Sequence, residues 1–334
     1  MYPCVTMKSK LRRREFLRLA TGAAALPLLA RVAVAQDGYP SRPVHLIVGF
    51  SPGSAADVTA RVFATGVAPL LGQQIVVENK TGAGSSVSGE YAARAANDGY
   101  TLFLATLSIV TSQIIHPDAA FDLIRDFAPI ALLAQATVVV VVNPKADVHS
   151  LAELIALAKS KPGQMLCGTA GFGSLLHFSA ELFAQRAGVK LSYVPYPGSP
   201  QAMADLVAGR TVMMFAPVST VLGQITAGKL IPLATAANKR TPALPNVPTI
   251  AELGIPDFDT SLWFGLEAPT GTAQAAIGKI AAAAREAMHS SQAIETLQKQ
   301  GFEPLDGGPE AFGRFIRSEV ARWTEVARVA GMNG

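Results

Sequence analysis

The chain has 334 residues, a formal charge of +4, 16% charged residues and only 2 cysteines. Its basic excess lies ahead of Gln36, where Lys8, Lys10, Arg12, Arg13, Arg14, Arg18 and Arg31 face only Glu15. The remainder is close to neutral and has no basic run, which excludes a nucleic-acid surface, and its single Cys167 excludes an intrachain disulfide.

In chain order, a basic block comes first, then an apolar run near Leu19 to Ala30, then the small-residue pattern Ala33-Val34-Ala35. This is the layout of an export signal over residues 1–35, cleaved before Gln36, and Arg13-Arg14 resembles the twin-arginine type. The apolar run is shorter than the ~20 residues that span a bilayer. Val-, Ile- and Leu-rich runs follow at "PVHLIVGF", "QIVVEN", "YTLFLAT", "TVVVVVN", "QMLCGTA", "KLSYVPY", "TVMMFAP", "IPLATAA" and "LWFGLEAP". They show little polar alternation, the pattern of strands covered on both faces, as in parallel sheets. Helical stretches alternate with them over Ser54–Leu71, Ser86–Ala96, Ser150–Lys159, Ser174–Ala187 and Pro200–Ala208, so the fold class is α/β. A last helix carries Phe312, Phe315, Ile316, Val320, Trp323 and Val326 on one face. "ATVVVVVNPKADVHS" and "SLWFGLEAPTGT" read as crossings between two lobes, with hinges near Val140 and Phe264. Residues 36–139 and 265–334 then form one lobe and 140–264 the other.

The strand-to-helix turns hold the candidate site. In "VGFSPGSAADVTAR", Ser54 and Asp57 form an S-x-x-D capping pattern, with the Asp57 carboxylate expected to return to the Ser54 N–H. Pro52 and Gly53 allow a tight turn that leaves N–H groups at a helix start, where an anion binds without a cationic side chain. The turn lacks the Gly-Lys-Ser/Thr ending of a Walker loop. Similar junctions offer Gly82, Gly84, Ser85 and Ser86, then Thr106 and Ser108, then Thr169, Gly171, Gly173 and Ser174, then Tyr196, Gly198 and Ser219. In an α/β chain they converge at the carboxyl ends of the strands.

Enzyme readings fare worse. "GFGSL" has the wrong glycine spacing for a nucleophile elbow, and "GAGSSVSG" is not a dinucleotide fingerprint. The five histidines are scattered, no Cys-x-x-Cys exists, and Cys167 reads as a buried small hydrophobe. No metal, cofactor or catalytic residue is therefore assigned. Donors without proton-transfer partners point to binding without turnover.

Four segments carry a family resemblance: "PSRPVHLIVGFSPGSAADVTAR", "VVENKTGAGSSVSGEYAARAANDGYTLFLAT", "VPYPGSPQAMADLVAGR" and "LPNVPTIAELGIPDFDTSLWFGLEAPTGT". From Tyr39 onward the chain resembles the Bug, or tripartite tricarboxylate transporter, extracytoplasmic solute receptors. The resemblance implies a monomeric periplasmic binding protein, two sheet-and-helix lobes around a cleft, and a small carboxylate ligand passed to membrane permease subunits. Docking on a sensor kinase is the alternative; a periplasmic hydrolase or isomerase using His177, Asp57 or Ser174 is a weaker one. Carried over by position, one lobe contacts ligand through Phe50, Ser51, Gly53, Ser54, Ala55, Asp57, Ser85, Ser86, Thr106 and Ser108. The other uses Thr169, Gly171, Phe172, Ser174, His177 and Tyr196. The family commonly has Asp where Val212 and Ala216 stand, and a polar residue at Phe172, so the second wall is expected to be less polar than usual. That favours a ligand with an apolar or aromatic body.

Overall fold

The computed structural model describes residues 38–329, together with Met1 and Pro3. The leader reading over residues 1–35 lies outside the described residues except at those two positions.

The first sheet has the strand order β11-β4-β10-β3-β1-β2. Its strands are β1 (Val44–Val48), β2 (Ile75–Asn79), β3 (Thr101–Thr106), β4 (Phe127–Ala136), β10 (Leu262–Pro269) and β11 (Phe302–Gly307). The second sheet, β7-β6-β8-β5-β9, uses β5 (Val138–Val142), β6 (Leu166–Thr169), β7 (Ser192–Pro195), β8 (Met213–Pro217) and β9 (Ile231–Thr235). The helices are α1 (Ala55–Leu71), α2 (Ser86–Ala93), α3 (Leu107–Ile115), α4 (Leu151–Ser160) and α5 (Leu175–Ala187). They continue with α6 (Ser199–Ala208), α7 (Val218–Thr226), α8 (Gln274–Met288), α9 (Ser291–Gln298) and α10 (Pro309–Val329).

Parallel pairing is only part of the plan. β1 pairs parallel with β2 and β3, and β6 with β7 and β8. β10 runs antiparallel to both β3 and β4, β11 to β4, and β5 to both β8 and β9. Both sheets are therefore mixed. Uniform burial made these strands look parallel, but any strand covered on both faces has that composition: β5 and β10 are buried at every position.

The chain changes sheet at Thr137, between the last residue of β4 and the first of β5. It returns through residues 236–261, between β9 and β10. Val140 is thus inside the second sheet, paired with Phe215 and Ala234, and Phe264 is inside the first, paired with Thr106 and Ala134. Neither residue marks the change of sheet.

The last helix buries Phe312, Ile316 and Trp323, as its spacing predicts. It also buries Glu319, whose Oε2 accepts from the indole N–H groups of Trp263 and Trp323, each at 3.1 Å. A carboxylate on this apolar face is tolerated because both indole donors are aimed at it. Trp323 meets Phe178 of α5 edge to face at 5.3 Å, which joins the last helix to the second sheet's layer. Cys167 is fully buried and its thiol is pushed up to about 12 by desolvation, so it packs as a small hydrophobe.

Candidate functional site

Helices α1 and α5 begin in the same way on opposite sheets. At α1, the Ser54 N–H donates to Ser51 O (3.1 Å), with Pro52 second in the turn and Gly53 third at φ 78°. At α5, the Ser174 N–H donates to Gly171 O (3.2 Å), with Gly173 at φ 77°. Both are tight turns that need positive φ at the third position, the conformation glycine adopts without strain. Each serine then caps its helix: Ser54 Oγ accepts from the Asp57 N–H and Ser174 Oγ from the His177 N–H, both at 3.3 Å.

The third helical residue closes each device. Asp57 Oδ2 accepts from the Gly53 N–H at 2.9 Å, and His177 Nδ1 accepts from the Gly173 N–H at 3.4 Å. The Asp57 carboxylate thus returns one residue earlier than the capping pattern predicts, because the Ser54 N–H is already spent within its turn. Arg61 grips Asp57 through Nε and Nη2, both at 2.9 Å. Asn79, at the end of β2, donates to Asp57 Oδ1 (3.0 Å) and to Phe50 O (2.8 Å), tying the turn to the sheet. Burial pushes the Asp57 carboxyl up, but the Arg61 hydrogen bonds and charge, the Gly53 N–H and Asn79 outweigh it and hold the group below its ordinary range. Burial lowers His177, the Glu181 charge opposes that, and His116 adds to the lowering.

Between these turns is a small space of ≈ 20 Å³. Phe50, Ser54, Ala55, Ala56, Ser108 and Leu262 line it from the first sheet, and Ala170, Leu176, Ser199 and Pro217 from the second. The starts of α1, α3, α5, α6 and α7 therefore all open on one place, at the carboxyl ends of β1, β3, β6, β7 and β8. The first N–H groups of a helix have no intrahelical acceptor; the Asp57, Leu175, His177 and Val218 N–H groups have acceptors outside the helical ladder here, and the positive dipole ends of all five helices converge on the space. Three buried hydroxyls, those of Thr106 and Thr169 at the ends of β3 and β6 and of Ser219 in the first turn of α7, have no partner among the described residues. Leaving each unpaired costs about 1–3 kcal/mol. None of the lining residues is Lys or Arg. A larger groove of ≈ 540 Å³ runs between α1 and α8–α9, but its Arg61 is already committed to Asp57.

The two sheets' turns touch directly. Ser51 Oγ donates to Gln201 Oε1 (2.9 Å), Thr111 Oγ1 to Gly173 O (3.0 Å), and the Leu175 N–H to Ser108 Oγ (3.1 Å). Gly84, at φ 60°, passes so close to the second sheet that a Cβ there would be 3.0 Å from the Ser174 nitrogen. Its neighbours Ala83 and Ser85 also hold positive φ, 44° and 84°, a strained backbone at the edge of the site.

Of the sequence-predicted residues, Phe50, Ser54, Ala55 and Ser108 line the space, and Thr106 and Thr169 stand beside it with free hydroxyls. Ser51, Gly53, Asp57, Gly171 and Ser174 build the two turns. Ser85 hydrogen-bonds Ser88 (2.9 Å) beneath Gly49, and Ser86 hydrogen-bonds Ser112 (2.8 Å). The Tyr196 hydroxyl is committed to Asp205 (2.7 Å). Phe172 is half exposed, with its ring on His177 rather than lining the space. Ala216 packs in the second sheet's core, and Val212 precedes β8 at the end away from the turns. Neither these two positions nor Phe172 is among the residues that line this space. Ala56 and Ala170 fall inside the predicted Phe50–Asp57 and Thr169–Ser174 stretches, whereas Leu176, Ser199, Pro217 and Leu262 were missed, because their contribution is backbone or apolar contact. Only the strand-turn-helix position of Ser199 and Pro217 signals them.

Two helix-flanked sheets with ligand-type turns facing each other define a solute-binding receptor of the periplasmic binding protein class. The family model described as "Tripartite tricarboxylate transporter family receptor" matches residues 59–332, and the chain belongs to that family. Protein BugT of Bordetella pertussis is 36% identical over 94% of this chain and 95% of that protein. A solved R. palustris protein with adipate superposes with a TM-score of 0.85 at 33% identity, covering 88% of this chain and 98% of that one. MatC from Rhodopseudomonas palustris with bound malate gives 0.83 at 30% identity, covering 86% and 99%.

Proposed function

We propose that this chain is exported, loses its leader before Gln36, and captures a small carboxylate for the membrane components of a tripartite tricarboxylate-type transporter. The observation that carries the reading is the convergence of α1, α3, α5, α6 and α7 starts on one space lined by no Lys or Arg. Such a site suits carboxylate oxygens, which accept from backbone N–H and hydroxyl groups. Each helix start favours an anion by about 0.3–1 kcal/mol, more when partly buried. Donors come from both sheets, so an anionic group at each end of the ligand is accommodated, as in the adipate and malate held by the two similar proteins. The set contains no acid–base pair placed to move a proton, which supports capture without turnover.

A space of ≈ 20 Å³ holds about one water molecule. A dicarboxylate therefore enters only when the turns of the two sheets part, breaking the Ser51–Gln201, Thr111–Gly173 and Ser108–Leu175 contacts. The crossings at Thr137 and through residues 236–261 are the places for that motion. A thermal-shift screen of mono- and dicarboxylates, with adipate and malate included, tests the reading, since a ligand of the native state raises its melting temperature. Flat melting temperatures across the set at millimolar concentration would remove the carboxylate assignment.

A further inference from the structure

His177 does at α5 what Asp57 does at α1: from the third helical position its side chain accepts the N–H of the glycine before the cap. Imidazole can do this at Nδ1 only with its proton on Nε2, because a protonated ring carries N–H on both nitrogens. The ring has little freedom to turn away. It is held edge to face between Phe172 (5.2 Å) and Tyr193 of β7 (4.8 Å). We infer that His177 is a positioning residue for the second ligand turn, effective only while neutral, so that mildly acidic solution loosens Gly171–Ser174 and weakens retention of the carboxylate. The inference rests on the carboxylate reading of the site.

The groups facing His177 fit this role. Glu181, one turn further along α5, favours the charged ring, but its carboxylate also accepts from the Tyr193 hydroxyl. His116, at the end of α3, lies against Gly173 from the first sheet and opposes a second positive charge there. Desolvation opposes it too, which places the transition below the ordinary histidine range. Protonation would set N–H against N–H at Gly173 and put charge at the contact where Thr111 Oγ1 reaches Gly173 O (3.0 Å). Asp57, gripped by Arg61, undergoes no such change near neutrality.

Two substitutions separate positioning from simple packing. His177→Asn supplies an Oδ1 acceptor from a side chain as short as the Asp57 that serves the same bond in α1, and it does not titrate. His177→Phe keeps a ring and removes the acceptor. With adipate as probe, calorimetric titration at about pH 7.5 and about pH 5 compares affinities above and below the ordinary imidazole range. The parent protein should lose roughly three- to tenfold more affinity on acidification than His177→Asn, the equivalent of one net hydrogen bond. His177→Phe should bind weakly at both values. An equal fall in parent and His177→Asn, full affinity in His177→Phe at about pH 7.5, or a pH effect abolished by His116→Gln would each overturn the inference. Absence of adipate binding by the parent would count against the ligand reading alone. The free protein then decides: the Gly173 amide nitrogen shift should titrate with the His177 ring, and a flat shift overturns the inference.

Discussion

The turns at Gly53 and Gly173 share a plan and differ in what holds them. Around Gly53, the Gly53 N–H, Arg61 and Asn79 all donate to one carboxylate that is charged near neutrality, and Asn79 ties it to β2. Around Gly173, the acceptor is a neutral ring with no cationic partner, and beyond the Ser174 bonds to Gly171 O the support comes from the opposite sheet through Thr111 and Ser108. One turn is held mainly from within its own layer, with only Ser51 Oγ reaching across to Gln201. The other is completed by the meeting itself. If the sheets close on a carboxylate as proposed, the first turn would offer a preformed anion site and the second would be completed on closure.

Breaking the hub of the first turn should have the largest effect on stability. Asp57→Ala leaves Arg61, Asn79 and the Gly53 N–H without their acceptor, at a cost of about 2–3 kcal/mol, since Arg61 is half exposed and recovers water. Denaturant unfolding measures this; a loss under half a kcal/mol would mean the clamp does not hold the turn. On affinity, the largest effect should come from Gly53→Val and Gly173→Val. A β-branched residue at positive φ moves the turn, so binding should fall by about a hundredfold or more in each. The pair also sharpens the comparison. A Cβ at Gly53 meets only Pro200, at 3.8 Å, whereas one at Gly173 is 3.2 Å from Ser112 Oγ. Gly173→Val should therefore lose more stability than Gly53→Val. Full affinity in Gly53→Val, by calorimetry on folded protein, would place the anion site elsewhere.

The caps come next in size. Ser54→Ala and Ser174→Ala each remove an acceptor from the third helical N–H, worth about 1 kcal/mol of stability. Ser174 Oγ also donates to Gly171 O (2.7 Å), so its removal loosens the turn as well as the helix. Ser174→Ala should weaken carboxylate binding more than Ser54→Ala does. Equal affinities would mean the two turns are equally rigid.

Much of this was legible in the sequence, because helix starts are local. Glycine, serine and a polar third residue announce a capped turn wherever they stand, and both turns were found that way. Strands were legible where β-branched residues dominate. They were missed where composition misleads: β4 is rich in alanine and contains Pro129, and β11 carries Glu303, Pro304 and Asp306. β11 is an edge strand, where proline and charge are tolerated. What sequence could not give was direction. Residue type says that Ser85, Ser86 and Tyr196 are polar and near the turns. Only packing shows that their hydroxyls are committed to Ser88, Ser112 and Asp205. Nor could spacing reveal that His177 copies Asp57, since S-x-x-H is not a capping pattern.

The smallest expected effect is the pH dependence of stability, and it separates the two turns most cleanly. Asp57 is held below its ordinary value, so its contribution is present above about pH 4 and fades as pH falls through the folded value. His177 is also lowered, by burial first, so the unfolded chain takes up its proton before the native state does. Its share is present above about pH 6.5 and is lost as pH falls below that, toward the folded value. Between about pH 6 and pH 5 the second turn's contribution to the unfolding free energy should therefore fall while the first turn's does not. The difference in unfolding free energy between the parent and His177→Asn should shift against the parent by about 0.5–1 kcal/mol across that window. The difference between the parent and Asp57→Asn should stay constant there. Denaturant midpoints at both pH values measure the two differences, and a constant His177→Asn difference would mean that the ring's protonation does not reach the fold.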